Sequence, residues 1–118
     1  MLKKIFRLTK EKDFAKLAKE GSASYAFCLI IKYLKNDLAF SRFGLIVSNK
    51  VSKKASTRNL IKRRIREILR LNLKSIKTGY DILIVVSPKI INNQGQTLPY
   101  EEMEKILAEI FGKAKLLV

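Results

Sequence analysis

The sequence predicts an α+β fold: a two-layer sandwich of helices on a small sheet, in the order helix, strand, strand, helix, strand, helix. Two observations carry this. Three segments space their apolar residues as one helix face, and three others are runs of branched and aromatic residues. Gly, Asn-Asp or Pro punctuates the joins. At 118 residues and 47% apolar, the chain can build one core but not two, so residues 1–118 are read as one domain.

Thr9 can cap a first helix through "KEKDFAKLAKE", with Phe14, Leu17 and Ala18 on its apolar face and Gly21 ending it. "YAFCLIIKYL" reads as a strand and "KND" as a turn. "FSRFGLIVS" is a second strand, antiparallel to the first because the connection is short. The polar stretch "NKVSKKAST" leads into a helix over residues 55–73. A third strand, "YDILIVVS", follows Gly79 and is closed by Pro88. Pro99 stands at the first turn of a last helix, "YEEMEKILAEIFGKAKLL". No internal repeat, low-complexity tract or interior linker interrupts this layout.

Charge is spread unevenly over these elements. Lys and Arg outnumber Asp and Glu by 25 to 10, a net charge of +15. Most of the excess lies between Lys50 and Lys77, where Glu67 is the sole acid, while the last helix is neutral to acidic. Self-repulsion on this scale is relieved by a polyanionic partner, with nucleic acid ahead of a membrane surface. No apolar run approaches the ~20 residues that span a bilayer, and the N-terminus lacks the apolar stretch of a secretory signal. The lone cysteine, Cys28, cannot form an internal disulfide, which suits a reducing cytoplasm.

On the middle helix, at 100° per residue, Ile61, Ile65, Ile68, Leu69 and Asn72 share a face that should be buried. Arg58, Lys62, Arg66 and Arg70 form an i, i+4 ladder beside it, with Asn59 and Arg63 alongside and Arg64 on the other flank. Like charges four apart repel, so the ladder is unfavourable without a counter-charge. Guanidinium groups also match phosphate oxygens bidentately. The arrangement reads as a phosphate-binding helix.

"FGLIVSNKVSKKASTRNLIKRRIRE" resembles the signature of the bacterial ribonuclease P protein subunit. The matching positions are Gly44, Ser48, Lys50, Ala55, Arg58, Asn59, Lys62, Arg63 and Arg66. "RLTKEKDFAKLAKEG", with its Asp13-Phe14 pair, "GYDILIVVSP" and "YEEMEKIL" extend the likeness over nearly the whole chain. Leu60, Asn49 and Ala18 depart from the family pattern.

The resemblance implies a fold in which the strands flanking the basic helix are parallel, with a left-handed crossover. It implies a cytoplasmic RNA-binding subunit that joins a catalytic RNA, the pair removing the 5′ leader of precursor tRNA. That RNA would hold the Mg2+ ions. Lys50, Lys53, Lys54, Arg58, Asn59, Lys62, Arg63, Arg66 and Arg70 would bind the catalytic RNA. The leader would enter a cleft between the first helix and the sheet that holds Phe14; Lys10, Lys16 and Lys32 are candidates, on charge, to follow its backbone. Arg66 and Phe14 are thereby expected on two separate RNA surfaces.

The residues themselves agree that the chain carries no catalytic group: it has no His, and its ten acids form no evident cluster. Nor does any pattern suggest a small-molecule substrate. Single-stranded RNA needs stacking rings in a cationic groove. Phe27, Tyr33 and Phe43 join Phe14 as candidates, although for each of these three the core is the better reading. Two other readings compete. One is a general RNA- or ribosome-associated module without a cleavage role, and the other is a peripheral membrane protein using its basic amphipathic helix.

Overall fold

In the computed structural model, which describes residues 3–118, the single strand expected over residues 25–34 is instead a hairpin. Strand β1 (Ser22–Ala26) pairs antiparallel with β2 (Leu29–Lys35), and Phe27 and Cys28 make the turn. Neither turn residue has positive φ, so the turn needs none of the Gly or Asn that usually betrays a two-residue hairpin. Cys28 therefore lies in a turn rather than a strand. It is buried against the core, and its carbonyl accepts from the Ser87 N–H at 2.8 Å.

The sheet has four strands, completed by β3 (Arg42–Ile46) and β4 (Tyr80–Val86), in the order β1-β2-β4-β3. β3 runs antiparallel to β2, as its short connection suggested, but β4 lies between them and is the strand β3 pairs with. That connection turns at Asp37, whose φ of 61° Asp tolerates, with the Asn36 side chain accepting from the Leu38 N–H. β3 and β4 are parallel, joined through helix α2 (Ala55–Leu71), as the resemblance implies.

Alternation along the strands divides the core. Leu29, Ile31, Phe43, Ile82, Ile84 and Val86 face α2 and the last helix, α3 (Tyr100–Lys113). Ile61, Ile65, Ile68 and Leu69 of α2 are buried there, as their spacing predicted. Asn72 is not: it is exposed at the helix end, where its side-chain amide donates to the Ile68 carbonyl at 2.7 Å. The opposite sheet face carries a smaller cluster, Leu8, Leu17 and Leu83, flanked by Phe14, Leu34 and Val85. This face is covered only in part, by helix α1 (Glu11–Glu20) and the segment before it.

α1 starts two residues after Thr9, with Lys10 at the cap position and no side-chain cap. The sheet is the reason. Leu8 donates to the Phe43 carbonyl at 2.8 Å and Arg7 bridges Phe43, so the chain is still extended along β3 when it reaches Thr9. Ala18 is exposed instead of packed, so the apolar face of α1 reduces to Leu17 and part of Phe14. Gly21 ends the helix without a left-handed turn, its φ being −73°. A Cβ there would lie 2.5 Å from the Leu17 carbonyl oxygen and 3.3 Å from that of Tyr33, so the tight entry into β1 requires glycine.

Candidate RNA interface

The cleft between α1 and the sheet is set by one charged and one steric contact. Arg42 on β3 makes a two-pronged bond to buried Asp81 on β4, with Nε to Oδ1 at 2.8 Å and Nη2 to Oδ2 at 2.7 Å. Asn36 donates to the same Oδ1 at 2.9 Å. Arg42 Nη1 then reaches Asp13 of α1 at 3.5 Å. These carboxylates hold the Arg42 guanidinium above the ordinary arginine range, the bond to Asp81 being the main cause. Two residues along β3, Gly44 leaves room for the Phe14 ring: a Cβ on residue 44 would lie 2.7 Å from Phe14 Cε1. The adjacent Asp13 and Phe14 thus seat α1 on adjacent same-face positions of β3.

Phe14 is half-buried and lines a cavity of about 190 Å³ at the β3 edge. Arg7, Thr9, Gly44 and Arg66 line it too. This corrects the expected separation of surfaces, because the ladder residue Arg66 and the cleft residue Phe14 meet in one concavity. The N-terminal segment causes it by running beside β3 and so bridging α1 to α2. Burial, followed by the nearby Arg7 charge, pulls the Arg66 guanidinium below its ordinary range. Two cations at the mouth of one cavity form a site whose ionised state an anion would favour. Nothing in the sequence singles out Arg7, and Thr9 reads there only as a helix cap, because only strand pairing across the fold brings them to Arg66.

Elsewhere on the ladder, Lys62 is half-buried while Asn59 and Arg63 are exposed. Arg58 is partly turned inward, Nη1 donating to the Ser52 carbonyl at 2.8 Å, so it also fastens the preceding loop. That loop is built from two small turns in which the Ser48 and Ser52 hydroxyls accept from the Lys50 and Lys54 N–H groups. Buried Val51 pins its middle, and Lys50, Lys53 and Lys54 project into solvent. Arg70 closes the ladder but pairs with Glu67, which raises the arginine and lowers the glutamate from their ordinary ranges. Arg64, on the other flank, donates to the Leu98 carbonyl at 3.2 Å and braces the approach to α3.

The remaining candidates for the leader divide. Lys10 is exposed at the head of α1. Lys16 is exposed too, but it stands about 200° round the helix from Phe14 and so points away from the cleft. Lys32 rises from the same sheet face as α1, and its ammonium donates to the Ala18 carbonyl at 3.4 Å. Phe43 is core, only 3% exposed, and Tyr33 packs against the α2–α3 side. Phe27 is 63% exposed at the hairpin turn.

Among the described residues, no three His, Cys, Asp or Glu side chains come together as metal ligands. Asp13 and Asp81 face each other across Arg42, which pairs with both. The donor set does not suit a resident magnesium ion. No described helix is long and apolar enough to cross a membrane. The apolar stripe of α2, which a membrane-surface reading would need, is committed to the core.

Comparison with known proteins agrees with this geometry. The family model for ribonuclease P matches residues 2–115. The ribonuclease P protein component of Fusobacterium nucleatum is 39% identical over 110 residues, covering 93% of this chain and 97% of that one. That of Synechocystis is 36% identical over 117 residues, covering 98% and 90%. The RNase P protein structure from Thermotoga maritima superimposes with a TM-score of 0.82 at 29% identity, covering 91% of this chain and 96% of that one. The one from Staphylococcus aureus gives 0.81 at 25% identity, covering 96% and 98%. The chain belongs to the ribonuclease P protein family, the protein subunit of a ribonucleoprotein endoribonuclease.

Proposed function

We propose that this subunit grips the ribonuclease P RNA with α2 and the 48–54 loop, and takes the 5′ leader of precursor tRNA into the cleft beside α1. The observation that carries this is the shared cavity of Arg7, Phe14 and Arg66, which joins the basic ladder to the half-buried Phe14 ring at the cleft's β3 end. Phosphates set on Lys62, Arg63 and Arg66 relieve the repulsion built into the ladder. The chain leaving that contact passes directly over Phe14, where an unpaired base can stack. The protein's part is to bind and orient. The magnesium ions belong to the RNA, and the chemistry they supply is activation and charge stabilisation at the scissile phosphate. The lone buried thiol of Cys28, pushed up to about 11 by burial, fits the reducing cytoplasm proposed for the complex.

Arg63 and Arg66 separate the roles. With the cognate RNA, Arg63→Ala should weaken assembly while leaving the preference for precursor over mature tRNA unchanged. Arg66→Ala should weaken both, because it removes a ladder charge and one wall of the cavity. Phe14→Ala, checked for folding, should lower only the precursor preference, by roughly tenfold for one lost stacking contact. Equal behaviour of Arg63→Ala and Arg66→Ala would refute the joined surface. Unchanged assembly with every ladder variant would return the chain to the class of general RNA-binding modules.

A further inference from the structure

The partly covered sheet face continues well beyond Phe14. Register places Tyr25, Ile30, Val85 and Ile46 side by side, one from each strand, in a row that crosses the whole sheet. This row lies one alternation beyond Gly44 and Leu83, the positions under α1. Tyr25 is 62% exposed and Ile46 41%, and Phe27 stands beside Tyr25 at the turn. Around the two rings is a groove of about 440 Å³, lined also by Ile30, Lys89 and Lys113.

The rings sit on a fixed mount. Lys113 donates to the Tyr25 carbonyl at 3.2 Å and pairs with Glu109 at 3.2 Å, which ties the hairpin to α3. The Ser87–Cys28 bond ties the turn to β4. Two exposed aromatics on a braced hairpin, with Lys89 nearby, match what single-stranded nucleic acid needs. A second copy of this chain fits poorly, since each brings a net charge of +15.

We infer that Tyr25 and Phe27 form a distal stacking platform for single-stranded RNA, receiving leader nucleotides upstream of those held at Phe14. This inference rests on the leader reading of the α1 cleft. Polarity follows from the layout: the catalytic RNA is held at the α2 and β3 side, so the nucleotide nearest the tRNA body enters there. Three strand spacings, about 14 Å, separate β3 from β1, so the strand must cross a few nucleotides before it meets Tyr25.

The test uses the complex of this chain with its cognate RNA and precursor tRNAs whose leaders lengthen one nucleotide at a time. Wild-type affinity should rise in two stages. The double variant Tyr25→Ala, Phe27→Ala should match wild type for the shortest leaders and lose the later stage, roughly fivefold or more per stacked base. Tyr25→Phe with Phe27→Tyr should restore it. The chain contains no tryptophan, so Tyr25→Trp supplies a single reporter. Its emission should be quenched by long-leader precursor and not by mature tRNA. Identical length profiles for wild type and the double alanine variant would overturn the inference, as would quenching by mature tRNA. A flat profile for wild type itself would instead sink the leader reading of the cleft.

Discussion

Placing a methyl group on Gly44 tests how the cleft is made. The Cβ would lie 2.7 Å from Phe14 Cε1, 3.2 Å from its Cζ and 3.3 Å from Leu8 Cβ. Comfortable carbon contacts are about 3.5–4.0 Å, so the ring must retreat by about 1 Å or α1 must lift. Overpacking of this kind costs about 1–3 kcal/mol. Against it, replacing glycine by alanine in ordinary backbone stabilises by about 0.4–1 kcal/mol through the unfolded chain. The net loss for Gly44→Ala is then about 0–2.6 kcal/mol, centred on about 1.3 kcal/mol. In a Phe14→Leu background both offending ring atoms are gone, and only the Leu8 contact stays tight. There the same substitution should be neutral or slightly stabilising. Urea denaturation of the four proteins in this cycle gives the coupling, expected at about 1 kcal/mol or more for side chains in contact. Additivity within about 0.5 kcal/mol would show that Phe14 does not rest on Gly44. The single Gly44→Ala protein should also lose part of its preference for leader-bearing tRNA, since the stacking ring has moved.

Other outcomes follow from the charges. Arg42→Ala leaves Asp81 buried without its partner and should cost about 3–5 kcal/mol in urea melts. Arg42→Lys should recover only part of this, lacking the planar fork; full recovery would show that charge alone anchors α1. Affinity for the catalytic RNA should fall with salt at a log–log slope of about −4 to −5 if the ladder meets five or six phosphates. Glu67→Gln, which releases Arg70, should steepen that slope by somewhat less than one. An unchanged slope would remove Arg70 from the interface. Because burial raises the Cys28 thiol to about 11, the unfolded chain loses that proton first, near pH 8.5–9. Between there and about 11 the folded state binds more protons, so stability falls as pH rises. Cys28→Ala should remove that component from the alkaline limb of a stability–pH profile, and an identical limb would argue against a desolvated thiol.

Local pattern revealed α2 almost completely, because Ile61, Ile65, Ile68 and Leu69 repeat at helical spacing on one face and the cations repeat at the same spacing beside it. It merged β1 with β2 because the turn at Phe27–Cys28 is apolar and buried on its Cys28 side, so no polar or glycine signal interrupts "YAFCLII". For the same reason Tyr25 looked like the start of a core strand instead of an exposed ring at a sheet edge. Lys16 was credited to the cleft on charge alone, where helix geometry turns it outward. Asn72 shared the angular position of the stripe but lay at the C-cap, where its side chain caps the Ile68 carbonyl instead of entering the core. The meeting of Arg7 with Arg66 was invisible because no local periodicity links residues so far apart; only the Leu8–Phe43 bond places them.

The site's economy follows from that last contact. A cleft floor made only of sheet and α1 would hold a strand with no fixed relation to the RNA grip on α2. By running beside β3, the residues before α1 turn one strand into a shared wall. Gly44 and Arg42 face α1 on one side, and Phe43 faces the α2 core on the other. Shifting β3 along its axis would then move both RNA contacts together. The Arg42–Asp81 fork opposes such a shift, and the parallel pairing with β4 fixes its register. On the proposed reading, Asp81 would act on RNA binding without touching RNA, through the position of β3. Its substitution should disturb leader capture and assembly in proportion, where Phe14 disturbs only the first.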